Sequence, residues 1–594
     1  MSDKRKPPGR RQLGRRRFVQ GLAALSCSTS GLVRAASQSA TAGQLESVGE
    51  SVSLTIAPMA FNVTGQPRIA SAANASVPGP CLRLREGSVL TARVTNRLTE
   101  ATSIHWHGIR LPSNQDGVPG LSFGGIAPGT TFTYQFPINQ SGTYWYHSHS
   151  GMQEQTGLYG PLIIVPSDTE PYRYDREYVV MLSDWTDEDP MAVLSNLKQQ
   201  GDYYDYQRRT LGSFVRDVER LGLRAASTDR GMWGRMRMSP TDLMDVTGAT
   251  YTFLINGQPP AANWTAPFNK GERIRLRFIN AASMTTFDVR IPGLSLTVVA
   301  ADGADIEPVE VEEFRMGVAE TYDVIVEPEG DTAYTIFAQA LDRSGYARAT
   351  LASYAGAVAA VPALDARPLR SMADMGMQRN AGMPEMDMSK MDMSEMDMSK
   401  MSMLDMAATT QSSISSAVPN ADGVNPARMH GLPDVDHVAT QPVNRLGEAG
   451  TGLDGNGRRV LRYSDLCSLW PNKEEPTVER ELEFRLTGNM QRWIWGFDGK
   501  KFSEAGPIHL RLGERVRFVL VNDTMMEHPI HLHGFLFALE NGHEGKLPIK
   551  HTVIVKPNER LSFVFTADTP GSWAFHCHLM LHMDAGMFRT VVVA

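Results

Sequence analysis

Hydrophobic and polar residues alternate in short runs over most of the chain after about residue 50, and Gly, Pro and Asn separate the runs. Alternation with a period of two predicts β-strands that bury one face, and turn residues at short intervals are typical of β-sandwiches. Few stretches have the spacing of a long amphipathic helix. The pattern therefore predicts an all-β protein.

One segment recurs three times, with a Gly at its start and an Asn nine positions later: Gly87–Asn96, Gly271–Asn280 and Gly513–Asn522. A recurring pattern of this kind indicates repeated domains. We predict three β-sandwich domains over residues 46–168, 170–356 and 451–594, which a chain of 594 residues is long enough to form. Residues 357–450 differ in composition and are predicted to form a flexible, methionine-rich linker.

Histidines stand at matching positions in the first and third copies. One pair follows the Asn at offsets of nine and eleven residues, and another follows a Gly at offsets of five and seven. The eight are His105, His107, His147 and His149, then His531, His533, His576 and His578. In a strand, His-x-His puts both rings on one face, and imidazoles suit copper. Eight such rings predict a three-copper cluster between the two domains, whereas the middle copy has Val289 and Ile291 at the first pair of positions.

A second metal site is predicted around Cys577, which stands between two of these histidines and points to the opposite face of its strand. Three further side chains would complete the thiolate, imidazole and thioether set of blue copper: His582, Met587 and a histidine of the segment from His528 to His533. The first domain has Ser148 in place of the cysteine. The blue-copper site is therefore predicted in the third domain alone.

The first 35 residues have the order of an export signal. Arg15-Arg16-Arg17-Phe18-Val19 matches a twin-arginine motif, an apolar run follows from Gly21 to Leu25, and a cleavage site is predicted at Val33-Arg34-Ala35. We predict export by the twin-arginine route. A basic disordered tail is the alternative.

The mature chain is predicted to be strongly acidic. Residues 1–35 carry nine Lys or Arg and one Asp, so removal of this net +8 changes the net charge from −7 to −15. Such a charge disfavours nucleic-acid binding and favours the attraction of cations. No apolar run reaches membrane-spanning length, so we predict no membrane span in the mature chain. Cys81 and Cys467 could pair in an oxidising compartment or remain free buried thiols.

The histidine and cysteine motifs together resemble those of the multicopper oxidase family. The resemblance implies three cupredoxin-like Greek-key domains and four copper ions: one type 1, one type 2 and a type 3 pair. The implied ligands are His528, Cys577, His582 and axial Met587 for type 1; His105 and His531 for type 2; and His107, His147, His149, His533, His576 and His578 for type 3. The family takes single electrons at type 1 copper, passes them along the His-Cys-His strand and reduces O2 to water at the other three coppers.

Reduction of O2 also consumes protons. Asp116 stands where the family has an acidic proton relay, and a carboxylate near the cluster could act by general acid–base chemistry. The alternative is a residue that favours the turn before Gly117. Family members with a carboxylate directly after the type 1 histidine use it as a second relay residue. Here that position is Met583, so the second relay residue is not identified from the sequence.

The centre of the predicted linker repeats methionine with a period of five: Met386, Met388, Met391, Met393, Met396 and Met398. A five-residue step turns a helix by about 140° and reverses the face of a strand, so neither element would gather these side chains into a core. Thioethers select Cu(I). The interpretation that we favour is a segment that binds additional Cu(I), with a plain disordered linker as the alternative.

Other methionines flank the predicted type 1 ligands: Met525, Met526, Met580 and Met583. They could mark where Cu(I) delivers its electron, or they could be adaptable core residues. The same two interpretations apply to a group in the middle domain: Met232, Met236, Met238 and Met244.

With its export signal and methionine repeats, the chain resembles most closely the periplasmic copper-resistance oxidases of the CopA/PcoA type. The resemblance implies a periplasmic enzyme that oxidises Cu(I) with O2, and other periplasmic copper-resistance proteins as partners. A laccase-like phenol oxidase and a copper-sequestering protein are the alternatives. An apolar pocket beside His582 would favour phenols, and an entrance lined by methionine and carboxylates would favour Cu(I).

Overall fold

A computed structural model describes residues 46–48, 50–236, 238–354, 356–372, 374, 429, 431–473 and 477–594. The predicted export signal and the methionine repeat from Met386 to Met398 lie outside these residues. The described part consists mainly of strands in six sheets, as the alternating pattern predicts. None of its helices is long and apolar enough to cross a membrane.

The first domain has two sheets. Its strands are β1 Glu46–Val48, β2 Ser51–Phe61, β3 Arg68–Ala73, β4 Cys81–Arg85, β5 Val89–Asn96, β6 His105–His107, β7 Thr131–Pro137, β8 Gly142–His147 and β9 Tyr159–Val165. One sheet has the order β3-β2-β5-β7 and the other β1-β4-β9-β8-β6. Strands β6 and β8 pair with His105 opposite His147, which brings both histidine motifs of this domain to one end of the sheet.

The second domain adds three helices to the sandwich. Its elements are β10 Arg176–Thr186, α1 Pro190–Gln199, α2 Leu211–Leu221, α3 Leu223–Met236, β11 Tyr251–Ile255, β12 Trp264–Pro267, β13 Ile274–Asn280, β14 Phe287–Arg290, β15 Leu296–Ala301, β16 Ala304–Val311, β17 Glu313–Met316, β18 Thr321–Val326, β19 Tyr334–Ala340 and β20 Tyr346–Ala352. The sheets have the orders β11-β10-β13-β18-β15-β16 and β12-β20-β19-β14-β17.

The third domain repeats this arrangement. Its elements are β21 Arg480–Asn489, β22 Ile494–Phe497, β23 Ile508–Leu510, β24 Arg515–Asn522, β25 His528–Leu532, β26 Phe537–Leu539, β27 Ile549–Lys550, β28 Thr552–Val555, β29 Arg560–Thr566, β30 Gly571–Cys577, α4 Met580–Ala585 and β31 Phe588–Val593. The sheets have the orders β22-β21-β24-β29-β26-β27 and β23-β31-β30-β25-β28. Strand β30 pairs with β25 so that His531 lies opposite His576.

The recurring Gly-to-Asn segment has the same place in all three domains. It contains β5, β13 and β24, each paired with one parallel and one antiparallel neighbour. The Asn at its end is fully buried in each copy, and its Nδ2 donates to two backbone carbonyls. The repeat therefore has a structural role, since the hydrogen bonds of this Asn hold the end of the strand to neighbouring backbone.

Helices α1 to α3 are the main departure from the all-β pattern. Their ends are well formed: the Asp189 side chain accepts from the backbone N–H of Met191, and Thr210 forms a capping box with Ser213. No residue of α2 is fully buried, although Leu211, Val215 and Val218 recur at the spacing of an amphipathic helix. Of the middle-domain methionines, Met244 is buried and Met238 is partly buried against the core. Met232 is partly exposed on α3.

The described ends of the predicted linker contact the third domain and one another. Arg370 is buried and its guanidinium donates to Thr451, and Asp374 accepts from Arg445 at 3.1 Å. Cys81 and Cys467 are both buried, and no disulfide joins them.

Candidate metal centres

Strand β25, strand β30 and helix α4 bring the predicted blue-copper residues together; we call His528, Cys577, His582 and Met587 the thiolate site. Cys577 Sγ lies 3.5 Å from His528 Nδ1 and 3.9 Å from His582 Nδ1. The two Nδ1 atoms are 3.3 Å apart. The backbone N–H of Cys577 donates to Met587 O at 3.1 Å, and all four side chains are buried. Two imidazole nitrogens therefore converge on one sulfur.

The far side of each imidazole in the thiolate site has its own partner. His528 Nε2 lies 2.7 Å from Thr524 Oγ1, and His582 Nε2 lies 2.8 Å from Asp245 Oδ2. Trp495 stacks on His582 with a centroid distance of 3.9 Å. These contacts fix both rings with Nδ1 towards the sulfur, which is the arrangement that a metal requires.

Domains 1 and 3 each contribute two His-x-His pairs. Their eight histidines form one group between the two domains, which we call the histidine cluster. Within it, three sets of three ring nitrogens lie within 4.8 Å of one another. They are His105, His107 and His531; His107, His147 and His578; and His149, His533 and His576. The last two sets contain the six histidines that the family pattern assigns to type 3 copper, and the first contains the type 2 pair.

Outward-facing Nδ1 atoms in the histidine cluster have oxygen partners. His105 Nδ1 lies 2.8 Å from Asp116 O, His531 Nδ1 lies 2.6 Å from His551 O, and His576 Nδ1 lies 2.9 Å from Cys577 O. A neutral imidazole carries one N–H, so these contacts place the hydrogen on Nδ1 and leave Nε2 as a lone-pair donor. His551, a buried histidine beside the cluster, was not singled out by the sequence because it lies outside both motifs.

The inward-facing nitrogens test whether the cluster suits a metal. Six buried ring nitrogens have no hydrogen-bond partner: Nε2 of His105, His147, His149, His531 and His578, and Nδ1 of His107. Buried polar atoms are nearly always hydrogen-bonded. Six buried nitrogens that face one another without a hydrogen-bond partner therefore indicate a site for a bound ligand. Borderline-soft cations such as copper or zinc are the ligands that imidazole prefers, and the cluster therefore fits the predicted metal.

Burial is the main cause of the shifted pKa values in both sites. It lowers the pKa well below 6.5 for His107, His147, His149, His528, His531, His533 and His578. It also lowers the pKa of His576 to about 3 and that of His551 to about 4. Burial raises the pKa of the Cys577 thiol. The imidazoles with lowered pKa values are therefore neutral, as metal ligands must be, and a thiolate at Cys577 would need a bound cation to offset its charge.

Asp116 lies beside the histidine cluster, as the sequence predicts. Its Oδ2 is 2.9 Å from His533 Nδ1 and its Oδ1 is 3.2 Å from His105 Nδ1. Its side chain is 1% exposed, so it is placed for a role at the cluster. The turn interpretation also has support, because the neighbouring Gly117 has φ of +79° and a Cβ there would lie 1.9 Å from Ile104 O.

Two carboxylates of the site were missed by the sequence analysis. Glu154, seven residues after the end of β8 in the first domain, has Oε2 2.7 Å from His147 Nδ1. Asp245 comes from the second domain, which supplies no histidine to either site, and contacts both His582 Nε2 and Trp493 Nε1. Glu154 could have been suspected from its closeness to His149 in sequence. Asp245 had no sequence signal, because it lies more than 300 residues from its partner.

The methionines near the thiolate site differ in burial. Met525, Met526 and Met580 are at most 2% exposed and belong to the hydrophobic core. Met583 is partly exposed and packs against Val118, Ala574 and Phe588. Its neighbour Asp584 is 42% exposed and lies 3.8 Å from Lys198 of α1. The surface next to His582 therefore combines a thioether with a carboxylate.

A cavity of about 520 Å³ lies between domains 1 and 3. Its lining residues are Arg110, Leu111, Pro112, Ser113, Asn114, Pro137, Asn139, Thr569 and Pro570. Neither His582 nor a residue in contact with His582 is among them. This cavity is therefore not the apolar pocket beside His582 that a phenol oxidase would need.

Comparisons with known proteins agree with the geometry. Family models described as multicopper oxidase match residues 55–169, 229–357 and 475–594. The chain is 52% identical to a Copper resistance protein A homolog of Pseudomonas syringae pv. tomato, covering 98% of this chain and 99% of that protein. It is 51% identical to Copper resistance protein A of Escherichia coli, covering 92% and 93%.

Solved structures have the same fold at lower identity. The crystal structure of Fet3p, a multicopper oxidase that functions in iron import, aligns with a TM-score of 0.62 at 19% identity over 92% of this chain and 90% of that one. A multi-copper oxidase from Pseudomonas thermotolerans aligns with a TM-score of 0.57 at 21% identity over 93% and 100%. At such identities the likeness concerns the three-domain cupredoxin fold alone.

Proposed function

This chain belongs to the multicopper oxidase family, and from that premise we propose that it oxidises Cu(I) to Cu(II) in the periplasm and reduces O2 to water. Four Cu(I) ions, one O2 and four protons would yield four Cu(II) ions and two water molecules. The enzyme would act in copper resistance, as the names of its full-length relatives indicate. Conversion of Cu(I) to the less permeant Cu(II) is the benefit that we infer.

The proposed cofactor is a set of four copper ions, which when bound would supply one-electron storage and the four-electron reduction of O2. The thiolate site would hold type 1 copper. Its proposed ligands are His528, Cys577, His582 and axial Met587. His105 and His531 would hold type 2 copper, and the type 3 pair would be held by His107, His147, His149, His533, His576 and His578. Cys577 is bonded through the backbone to His576 and His578, so few covalent bonds separate the two sites.

The observation that supports Cu(I) as the electron donor is the contact between Asp245 Oδ2 and His582 Nε2 at 2.8 Å. An organic donor would have to displace this buried carboxylate to reach His582, since His582 is itself fully buried and Trp495 covers the face of its ring. A cation is attracted to a carboxylate and needs no stacking surface. The Asp245–His582 hydrogen bond would then link the bound Cu(I) to the thiolate site.

Further carboxyl groups lie near Asp245. Asp205 and Asp242 are buried near it, and burial together with the charges of Asp245 and Asp205 raises the pKa of Asp242 well above its usual range. Concentrated carboxylates favour the approach of cations. Met583 and Asp584 would form the entrance, while the buried Met525, Met526 and Met580 would pack around the site. The repeat from Met386 to Met398 would bind additional Cu(I) before delivery.

Asp116 is the proposed proton relay. Its carboxylate would hold or release a proton beside His533 and His105, and its burial would keep bulk water from exchanging protons with it directly.

Export by the twin-arginine route, through the motif at Arg15-Arg16-Arg17, would deliver the protein to the periplasm in the folded state. Possible partners there are other copper-resistance proteins.

Oxygen uptake by the copper-loaded protein tests the proposal. A Cu(I) complex and then a phenol would serve as the sole electron donor, each corrected for uncatalysed oxidation. We expect saturable uptake with Cu(I) at a higher kcat/KM than with the phenol. Preference for the phenol would favour the laccase-like alternative, and no turnover with either donor, despite full copper, would favour sequestration.

A further inference from the structure

We propose that Glu154 is a positioning residue of the histidine cluster, which holds His147 in the tautomer and orientation that leave Nε2 free for copper. The inference rests on the proposed function, because it concerns ligands of the proposed copper cluster. It assigns a role to a buried carboxylate that lies outside the four histidine motifs.

The geometry at His147 supports this role. Its Nδ1 lies 2.7 Å from Glu154 Oε2, and a longer contact of 3.1 Å joins Nδ1 to Ser148 O. Its Nε2 is buried and has no partner. The neutral ring carries a single N–H. Because two oxygen atoms lie within hydrogen-bond distance of Nδ1, the hydrogen is on Nδ1. Glu154 Oε2 is the closer of the two.

Glu154 is held in place by its neighbours in the chain. It is 4% exposed, and its carbonyl accepts from Gly157 N–H at 3.0 Å. The next residue, Gln155, faces the other way: its amide donates to Asp184 O at 3.2 Å, and its carbonyl accepts from Ser283 Oγ. The second domain thus anchors the loop, and this anchoring turns Glu154 towards His147.

The two type 3 ligand sets have corresponding carboxylates. His147 belongs to the set with His107 and His578, whereas His533 belongs to the set with His149 and His576. Glu154 contacts Nδ1 of His147, and Asp116 contacts Nδ1 of His533. A carboxylate on the far nitrogen of a ligand histidine fixes the ring and increases its basicity. Each ligand set therefore contains one histidine that is supported in this way.

Chelator competition tests the inference without relying on activity. Wild-type, Glu154→Ala and Glu154→Gln proteins would be loaded with copper and titrated with a copper chelator. Copper per chain, the type 2 electron paramagnetic resonance signal and the visible absorption of the thiolate site would be followed. Removal of an outer-shell partner costs about 10–100-fold in metal affinity, so we expect Glu154→Ala to lose cluster copper at a correspondingly lower chelator concentration. Glu154→Gln keeps an oxygen acceptor and should lie close to wild type.

Internal and matched controls make the outcomes distinct. The visible absorption of the thiolate site should survive in all variants, which shows that the third domain is folded. Glu327→Gln removes a charge at an exposed surface pair and should leave the titration unchanged. Equal copper retention in wild type and Glu154→Ala would overturn the inference, as would a loss in Glu154→Gln as large as that in Glu154→Ala. A wild-type protein that binds no cluster copper would instead refute the proposed function.

Discussion

Asp245 is the residue through which the second domain takes part in the proposed chemistry. It accepts at 2.8 Å from His582 and at 3.1 Å from Trp493 Nε1, and both contacts cross from the second to the third domain. A charged acceptor on a ligand histidine stabilises the positive charge that a donor ion brings to the site. The domain without copper ligands therefore shapes the site where electrons would enter.

We expect Asp245→Ala to lower kcat/KM for Cu(I) by about 10–100-fold, because a hydrogen bond to a charged group contributes about 1.5–3 kcal/mol. Oxygen uptake with Cu(I) measures the effect. A neutral phenol serves as the matched donor and should lose less, since it gains nothing from the carboxylate charge. An equal loss with both donors would mean that Asp245 only orients His582.

At the scale of elements, a glycine after the first His-x-His pair of the first and third domains permits the turn that brings the strands together. Gly108 and Gly534 have φ of +78° and +75°, which side chains with a Cβ rarely adopt. A Cβ at Gly534 would lie 2.3 Å from the buried ring of Trp573 on β30. One at Gly108 would lie 2.5 Å from the ring of His551. Both glycines are therefore required by close packing next to the histidine cluster.

We expect Gly534→Ala to destabilise the protein by about 2–4 kcal/mol, from the left-handed backbone and from overpacking against Trp573. Urea unfolding followed by tryptophan fluorescence measures the change. Gly513 is a matched control, since its φ is +84° but a Cβ there would meet no atom within 4 Å. Gly513→Ala should cost only the backbone part, about 1–2 kcal/mol. Equal effects of the two substitutions would contradict the packing argument.

At the scale of the whole molecule, the two metal sites concentrate neutral histidines in the interior. Their pKa values are depressed in the folded state, whereas an unfolded chain titrates near 6.5. Below pH 6.5 the unfolded state therefore binds more protons than the folded state, and folding stability falls as the pH falls. For His551 the loss continues to about pH 4, and for His576 to about pH 3.

We expect the copper-free protein to lose stability steeply between pH 6.5 and pH 5, with each buried neutral histidine contributing up to about 1.4 kcal/mol per pH unit. The urea midpoint at pH 7, 6 and 5 measures this loss. Bound copper should shift the transition to lower pH, because protons must then displace the metal. A midpoint that stays constant from pH 7 to pH 5 in the copper-free protein would contradict the expectation.

Local pattern was sufficient for much of the fold. The alternation of apolar residues and the threefold Gly-to-Asn repeat predict the sandwiches, because a strand that buries one face has an apolar residue at every second position. Helices α1 to α3 were not predicted, because each has at most 14 residues and the alternating strands dominate the pattern of the domain around them. For the methionine repeat from Met386 to Met398, the Cu(I)-binding interpretation stays a prediction, as it lies outside the described residues.

The sequence by itself determined which side chains are the candidate metal ligands, because His-x-His and His-Cys-His on strands fix the relative direction of side chains within a few residues. Tertiary structure alone decided their partners. Asp245 meets His582 across 337 positions of the chain, and Asp116 meets His533 across 417. Such contacts depend on how the domains pack against one another, and the local sequence pattern does not predict that packing. The physical reason is that ligand identity follows from local chemistry, whereas ring orientation, burial and charge follow from contacts between domains.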